Sequence, residues 1–443
     1  MVYTQGKRTQ DLRFPSAGET DAARVLQSGL EMRGKNLLCT ALCRYGDSAD
    51  RVQLLKDSFL HTDERISSMP VTFTRTALML SLLLGFGQPQ ASEAPSPKAL
   101  ATLQGIPHPA VIAHRGASFD APESTAAAYK LARDLGADYL ELDLQRSKDG
   151  VLFVLHDDSL LRTTDVATKF PERKDSTANE FTMAELKTLD AGSWFNTAYP
   201  DRARPSFAGL KILTLDEVIN IAEGNPQQKP GLYIETKEPK LFPGIERDLK
   251  DKLQDRGWLS PAGSKLAKRA TGVGQGKGKV VLQTFEKSSL ELLHKEMPKV
   301  PKILLLWVGE GNIEPKSKVP FAESGETDKA AYYAKQEPKD KAEFEKWIQY
   351  AKAQGAVGTG PSAALTHGGS QSYADLVQPW MNQYTHDQGL LVHVYTVDEA
   401  VDFKKVMDAG VDGIFTNRAN ELLKYFQRPE TGSVVQLLEK NGY

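Results

Sequence analysis

From residue 110 onwards, short apolar runs alternate with longer stretches of helical period. The apolar runs span residues 110–114, 139–144, 151–155, 232–235, 280–284, 303–308, 356–360, 391–397 and 411–416. Between several of them, as in 123–135 and 397–409, apolar residues recur at the spacing of an amphipathic helix. Alternation of strands with helices predicts a parallel sheet that is covered by helices.

The second and third apolar runs are too close for a helical crossover. Only residues 147–150 separate them, which indicates a hairpin and makes the third run an antiparallel flap. Eight parallel strands remain, so we expect an α/β fold of the TIM (β/α)8 barrel type. A doubly wound open sheet is the main alternative, but the chain lacks the usual glycine-rich loop after the first strand. A turn centred between Lys148 and Asp149 would place His156 opposite Glu141.

The barrel is predicted to span residues 108–428, followed by a C-terminal tail at 429–443. Residues 160–215 contain many turn formers and few strand-like runs. We interpret them as a small insertion after the second strand and its hairpin, which caps one end of the barrel.

The first hundred residues have a different character. Residues 69–94 begin with Met69, carry one positive charge at Arg75 and continue with apolar residues 76–86, the layout of a secretory signal peptide. We therefore interpret residues 1–68 as an upstream extension outside the mature protein, and 95–107 as a flexible lead-in. A buried core helix is the alternative for the apolar run, which is too short for a stable membrane span. A bacterial periplasmic or secreted protein is the expectation.

Charge and cysteine content narrow the classes of function. The 443 residues include 55 Lys and Arg against 57 Asp and Glu, so there is no overall basic surface for a nucleic acid. Cys39 and Cys43 are the only cysteines. The predicted barrel therefore has neither disulfides nor thiolate chemistry, which suits an oxidising compartment.

Acidic side chains occur where the predicted strands end. Glu141 and Asp143 are two residues apart on one strand, so both side chains face the barrel interior. Glu235 is expected at the same level on the next barrel strand. Three carboxylates at a barrel mouth suit a hard divalent cation, Ca²⁺ or Mg²⁺ rather than Zn²⁺. Salt bridges to Arg115 and Lys237 are the alternative interpretation.

Two histidines are expected at the same mouth. His114 ends the first strand and His156 ends the flap, and imidazoles titrate near neutral pH, so they form a candidate pair for proton transfer. Arg115 and Lys237 are candidate contacts for the oxygens of a phosphate group.

Several motifs together resemble the glycerophosphodiester phosphodiesterase family, over about residues 111–423. They are Ile112-Ala-His-Arg-Gly-Ala117, Pro122-Glu-Ser-Thr125, Tyr139-Leu-Glu-Leu-Asp143, Leu155-His-Asp157, Leu161-Arg-Thr-Thr164, Glu235-Thr-Lys237, Gln283-Thr-Phe285, Val392-His-Val-Tyr-Thr-Val397 and Gly410-Val-Asp-Gly-Ile-Phe-Thr416. The insertion and the strand at 392–397 look like the periplasmic, Ca²⁺-dependent branch.

The resemblance implies roles for individual residues. It implies metal ligands at Glu141, Asp143 and Glu235, acid/base histidines at His114 and His156, phosphate contact by Arg115, and supporting positions at Glu123, Gln283 and Tyr395. Ser124 replaces a commoner Asn and Asn417 a commoner Asp, and we expect both departures to affect only the positioning of loops.

The expected reaction is hydrolysis of glycerophosphodiesters, such as glycerophosphocholine or glycerophosphoethanolamine, to an alcohol and glycerol 3-phosphate. Alternatives are a lysophospholipase D-type phosphodiesterase and an exported binding protein on the same scaffold. The sequence leaves open which histidine is the acid, and whether water or a neighbouring glycerol hydroxyl is the nucleophile.

Overall fold

The computed structural model describes residues 95–259, 279–309, 312–336, 338, 340–366 and 373–443. Residues 1–68 and the predicted signal peptide at 69–94 lie outside the described residues, so both interpretations stay predictions. The strands are β1 (Ala110–Ala113), β2 (Tyr139–Arg146), β3 (Leu152–Val154), β4 (Gly231–Thr236), β5 (Val280–Thr284), β6 (Lys302–Leu306), β7 (Gly358–Pro361), β8 (Leu391–Val394) and β9 (Gly413–Thr416).

Helices follow most of these strands. They are α1 (Pro97–Gln104), α2 (Ala126–Leu135), α3 (Val166–Lys169), α4 (Met183–Leu186), α5 (Ser193–Ala198), α6 (Leu215–Glu223), α7 (Ile245–Asp255), α8 (Lys287–Glu296), α9 (Lys329–Ala334), α10 (Lys341–Ala353), α11 (Pro379–Asp387), α12 (Ala400–Asp408), α13 (Ala419–Tyr425) and α14 (Val434–Lys440). Among the residues that the structure describes, no helix is long and apolar enough to cross a membrane.

The sheet closes on itself into a barrel. β1 pairs in parallel with both β9 and β2, and β2, β4, β5, β6, β7, β8 and β9 pair in parallel in that order. The predicted TIM barrel is therefore confirmed, with β3 as an antiparallel flap on β2. In this fold functional side chains gather at the carboxyl ends of the strands.

The centre of the hairpin between β2 and β3 lies half a residue later than predicted, which shifts the cross-strand register by one residue. Leu144 lies opposite Val154, and the amide of Ser147 donates to the carbonyl of Val151 at 2.9 Å, so the turn is centred on Asp149. Its carboxylate accepts from the Ser147 hydroxyl at 2.6 Å, which stabilises the longer turn. Continued in this register, His156 would lie opposite residue 142 instead of Glu141. The last backbone bond of the hairpin, however, runs from the Leu155 amide to the Asp143 carbonyl at 3.0 Å, one residue before His156, so sheet alternation does not determine where His156 points.

The barrel interior is filled by aromatic and aliphatic side chains, and α1 packs against the same cluster. Tyr233, Ile303 and Phe415 belong to it, as do Ala101 of α1 and Ile106 just after it. Residues 97–104 are thus helical, where the sequence predicted a flexible segment. Pro97 at the first helical position and the Ser96 hydroxyl, which accepts from the amide of Ala99, favour the start of this helix.

The insertion has a small core of its own. Buried Leu160, Phe181, Leu186 and Ile212 pack together there, apart from the main barrel core. Its short helices α3, α4 and α5 come after the flap. Arg162 lies between β3 and α3, and it donates to Asp157, which follows β3.

Candidate active site

Nine of the ten predicted site residues line one cavity of about 320 Å³ at the carboxyl ends of the strands. They are His114, Arg115, Glu141, Asp143, His156, Glu235, Lys237, Gln283 and Tyr395. Glu123 is the tenth, and it lies behind Arg115, whose Nη1 donates to its carboxylate at 3.0 Å. The structure therefore brings the whole predicted set together.

A sharp turn after β1 aims the backbone of this loop at the carboxylates. Arg115 has φ 57° and Gly116 has φ 87°, and a β-carbon at Gly116 would lie 2.6 Å from the backbone of Ala128. Only glycine fits so close an approach at a positive φ. The turn lets the Arg115 amide donate to Glu141 Oε2 at 2.8 Å.

Three buried carboxylates form the acidic part of the cavity. One carboxylate oxygen each of Glu141, Asp143 and Glu235 lies within 4.8 Å of the others. Asp143 on β2 and Glu235 on β4 are register partners on neighbouring parallel strands, so both lie at the same level of the barrel. Gln283 donates to Glu141 Oε1 at 3.0 Å, while buried Asp143 Oδ2 has no hydrogen-bond partner among the described residues.

The ionisation of these acids reflects their crowding. Burial, followed by the charge of Asp143, raises the pKa of Glu141 well above its usual value. Burial also raises the pKa of Glu235 to about 7, although Lys237 opposes the rise. For Asp143, the charges of His156, Arg115 and Lys237 outweigh burial and lower the pKa. Asp143 Oδ2 also lies 3.4 Å from Arg115 Nε, an ion pair without a hydrogen bond. Crowded acids with an oxygen that accepts no hydrogen bond fit a divalent cation bound through oxygen.

His114 is held by an amide side chain. Its Nδ1 lies 2.8 Å from Asn417 Oδ1, and Asn417 Nδ2 donates to Asp398 at 2.8 Å, which fixes the amide orientation. His114 therefore donates through Nδ1, and its Nε2 carries the lone pair. Burial, with a further effect of Arg115, lowers the pKa of His114 to about 3.

His156 is held by an acid on one side and an amine on the other. Its Nδ1 lies 2.6 Å from Asp157 Oδ1, and its Nε2 lies 3.2 Å from Lys237 Nζ. Nearby carboxylates could be expected to favour the imidazolium. Instead burial and then Arg115 lower the pKa of His156, because together they outweigh Asp143 and Asp157.

An aromatic wall faces these polar groups. Phe285, Trp307, Tyr373 and Tyr395 line the cavity and pack edge to face or tilted, at ring centroid distances of 5.7–6.3 Å. The Tyr395 hydroxyl donates to the Leu306 carbonyl at 2.9 Å, so its phenol is fixed in place. The cavity is thus polar at its base and aromatic along one side.

Comparison with known proteins decides the family. The glycerophosphoryl diester phosphodiesterase family matches residues 114–421, most of the chain and all of the cavity described above. The chain belongs to this family. The resemblance seen in the motifs is therefore confirmed, and the chain is an enzyme of the glycerophosphodiester phosphodiesterase class.

Individual relatives agree with this membership. A glycerophosphodiester phosphodiesterase of Bacillus subtilis is 34% identical over 306 residues, covering 69% of this chain and 82% of the relative. One from Caldanaerobacter subterraneus is 40% identical over 144 residues, covering 31% of this chain and 50% of the relative. A solved structure from Silicibacter pomeroyi is 21% identical. It covers 76% of this chain and all of its own, with a TM-score of 0.50, and so shows the shared fold.

Both departures from the family pattern lie nearer the site than expected. Asn417 contacts His114 directly, and so bears on the proposed chemistry. Ser124 has φ 58°, a conformation that Asn adopts more readily, and its amide donates to the Arg115 carbonyl at 2.9 Å. The expectation that only loop positioning is affected was wrong for Asn417, whose side chain contacts His114. Ser124 reaches Arg115 through its backbone amide, so for this residue an effect on loop positioning stays the prediction.

Three polar neighbours were given no role in the site from the sequence: Asp157, Arg162 and Asn417. Asp157 and Arg162 fall in the family motifs 155–157 and 161–164, which was the available signal. Asn417 follows the last strand and contacts His114, which is more than 300 positions away in the sequence, so no local pattern indicated this contact.

Proposed function

We propose that this enzyme hydrolyses glycerophosphodiesters, such as glycerophosphocholine or glycerophosphoethanolamine, to an alcohol and glycerol 3-phosphate. Ca²⁺ is the proposed cation, with Mg²⁺ as a substitute, and Glu141, Asp143 and Glu235 are its proposed ligands. The observation that carries the proposal is the buried carboxylate trio beside two histidines in one cavity.

When bound, the cation supplies positive charge that offsets the carboxylates and the charge developing on oxygen. Hard oxygen ligands and an all-carboxylate set fit Ca²⁺ or Mg²⁺. Gln283 and the Arg115 amide both donate to Glu141, which orients that carboxylate within the trio.

Proton transfer falls to the two histidines. Both rings leave Nε2 for proton transfer, because Asn417 and Asp157 take the Nδ1 protons. One ring takes the proton of the nucleophile at Nε2 as the oxygen of the nucleophile bonds to phosphorus. The other ring enters the step already protonated at Nε2, and it gives that proton to the departing alcohol as the phosphorus–oxygen bond breaks. The guanidinium of Arg115 and the ammonium of Lys237 hold the non-bridging phosphate oxygens.

Export to the periplasm or beyond is a further part of the proposal, supported by the signal-like residues 69–94. Edman sequencing of the mature protein from bacterial envelopes should find a start at roughly residues 91–98. Recovery of residues 1–68 on the exported protein would refute it.

The direct test of the reaction is the release of glycerol 3-phosphate from glycerophosphocholine, measured with EDTA and after Ca²⁺ or Mg²⁺ is added back. Activity that disappears with chelation and returns with Ca²⁺ is the expected result. Full activity in excess chelator would refute the metal site.

A further inference from the structure

Arg162, near the start of the insertion, joins two carboxylates with one guanidinium. Its Nη1 and Nη2 donate to the two oxygens of Glu123 at 2.9 and 2.8 Å. Its Nε and Nη2 donate to the two oxygens of Asp157 at 2.6 and 3.0 Å. Both edges of the planar donor set are therefore used.

Each of these carboxylates has a second partner inside the cavity. Glu123 Oε1 also accepts from Arg115 Nη1 at 3.0 Å, and Asp157 Oδ1 pairs with His156 Nδ1 at 2.6 Å. A continuous chain of charge-assisted hydrogen bonds thus runs from the Arg115 guanidinium to the His156 ring, with Arg162 at its centre.

We propose that Arg162 is a positioning residue that holds Arg115 and His156 in one working geometry. The inference rests on the proposed function, in which Arg115 contacts phosphate and His156 transfers a proton. Without the guanidinium, Glu123 and Asp157 would lose their shared cation and repel each other. Asp157 would then hold the His156 tautomer less firmly, and Glu123 would hold Arg115 less firmly.

Arg162 lies at the surface of the insertion. Its side chain is 43% exposed, so truncating it leaves no buried cavity. Its guanidinium lies 5.8 Å from the Trp194 ring centroid, so packing by the insertion keeps it pointed at the two acids. The insertion thereby contributes directly to the geometry of the barrel site.

The matched control is Arg173, which lies in the same insertion. It pairs with Glu185 at 2.6 Å and lies 4.3 Å from the Phe181 ring centroid, within the core of the insertion. Arg173→Ala therefore reports on damage to the insertion itself, whereas Arg162→Ala reports on the chain of contacts.

The experiment compares steady-state kinetics on glycerophosphocholine for the full-length enzyme with Ca²⁺. Arg162→Ala should lower kcat/KM by about 10–100-fold, the usual effect of losing an outer partner of a site residue. Calcium affinity and melting temperature should stay close to wild type, and Arg173→Ala should keep wild-type kinetics. Arg162→Lys should recover only part of the loss, since an ammonium cannot donate along two edges. Added guanidinium ion should partly restore Arg162→Ala.

A double variant tests the coupling. Arg162→Ala combined with Asp157→Asn should be no slower than the slower single variant, because both break the same chain. Additive losses, equal losses in Arg173→Ala, or an Arg162→Ala enzyme within about twofold of wild type would overturn the inference. A wild-type enzyme that does not cleave glycerophosphocholine would instead refute the proposed function itself.

Discussion

The hydrogen bond between His114 and Asn417 determines which imidazole nitrogen is available for proton transfer. Asp398 accepts from the Asn417 amide nitrogen, so the amide oxygen must face His114. A neutral amide here, in place of the commoner carboxylate, withholds the charge that would raise the pKa of His114. The ring accordingly stays neutral when the cavity is empty.

Replacing Asn417 with Ala should release the His114 ring. We expect kcat to fall by about 10–100-fold, as for other outer-partner losses, while Ca²⁺ affinity changes little. Asn420→Ala, which alters a side chain paired with Glu421, is the control and should keep wild-type turnover. Wild-type kcat in Asn417→Ala would show that this contact does not orient the ring.

The histidines themselves should matter more. His156→Ala should reduce turnover by about 10²–10⁴-fold, the usual contribution of acid–base catalysis, and His114→Ala should behave likewise. Metal affinity, measured by calorimetry, should be nearly unchanged because neither ring is a proposed ligand. Near wild-type turnover in either variant would contradict the two-histidine mechanism. His294→Ala on α8 is the control.

At the scale of elements, the barrel strands could be predicted from the pattern of apolar residues. The register of the hairpin could not, because it depends on the hydrogen bonds of its turn. All eight barrel strands follow from their apolar runs, since a buried parallel strand needs a continuous one. The hairpin register did not follow, because it depends on Asp149 bonding to Ser147 and to the amide of Met183. A tertiary contact of that kind leaves little signature in the spacing of the turn.

The chain end shows a signal that was present but not used. Ser433 and Gln436 form a capping box that starts α14, where a tail was predicted. Leu437 and Leu438 are buried against the main core, and Asn441 donates to Asp134 of α2 at 2.9 Å. Residues 434–440 are therefore part of the barrel's outer helical layer.

This docking predicts a stability effect without a catalytic one. Leu438→Ala should lower the free energy of unfolding by about 2–5 kcal/mol, since it leaves a cavity at a position that is 2% exposed. Val435→Ala, at a position 51% exposed, should be nearly neutral. Denaturant melts give both values, and assays at low temperature should show unchanged kcat. Equal stability of the two variants would contradict packing of α14.

For the molecule as a whole, the sequence predicted which residues form the candidate site, but it did not predict all of the contacts among them. Strand ends converge in any TIM barrel, so polar residues at strand ends could be assigned to one mouth. The chain of hydrogen bonds through Arg162 could not be derived in that way, because it joins the loop after β1 to the insertion. Such contacts depend on how loops fold over the barrel.

Calcium binding by this trio should depend on pH. The pKa of Glu235 is raised to about 7, so below that value a proton must leave before the metal binds. Affinity should therefore increase as the pH rises towards 7, by about tenfold per pH unit for each proton released. Calorimetry in buffers of different ionisation enthalpy measures both quantities.

The metal-free protein should show the opposite trend in stability. A carboxyl group whose pKa is raised by folding stabilises the folded state below the pKa that it has in the unfolded chain, 4.5 for Glu235. This stability is lost as the pH rises from there through about 7. Melting temperature without metal should accordingly fall over this range, and Ca²⁺ should restore it. Glu235→Gln should reduce both dependences to the part contributed by Glu141, whose pKa is also raised, whereas pH-independent calcium affinity in the wild type would contradict the proposed ionisation.

The central claim is that the Glu141, Asp143 and Glu235 trio binds the cation needed for phosphodiester hydrolysis. The measurement that tests it most directly is the rate of glycerol 3-phosphate release from glycerophosphocholine by metal-depleted enzyme as Ca²⁺ is titrated. The rate should rise from background to saturation in the wild type, with the same Kd as direct Ca²⁺ binding. Asp143→Ala should bind Ca²⁺ poorly and stay inactive. Full activity before any Ca²⁺ is added, or an Asp143→Ala enzyme that responds like wild type, would contradict the claim.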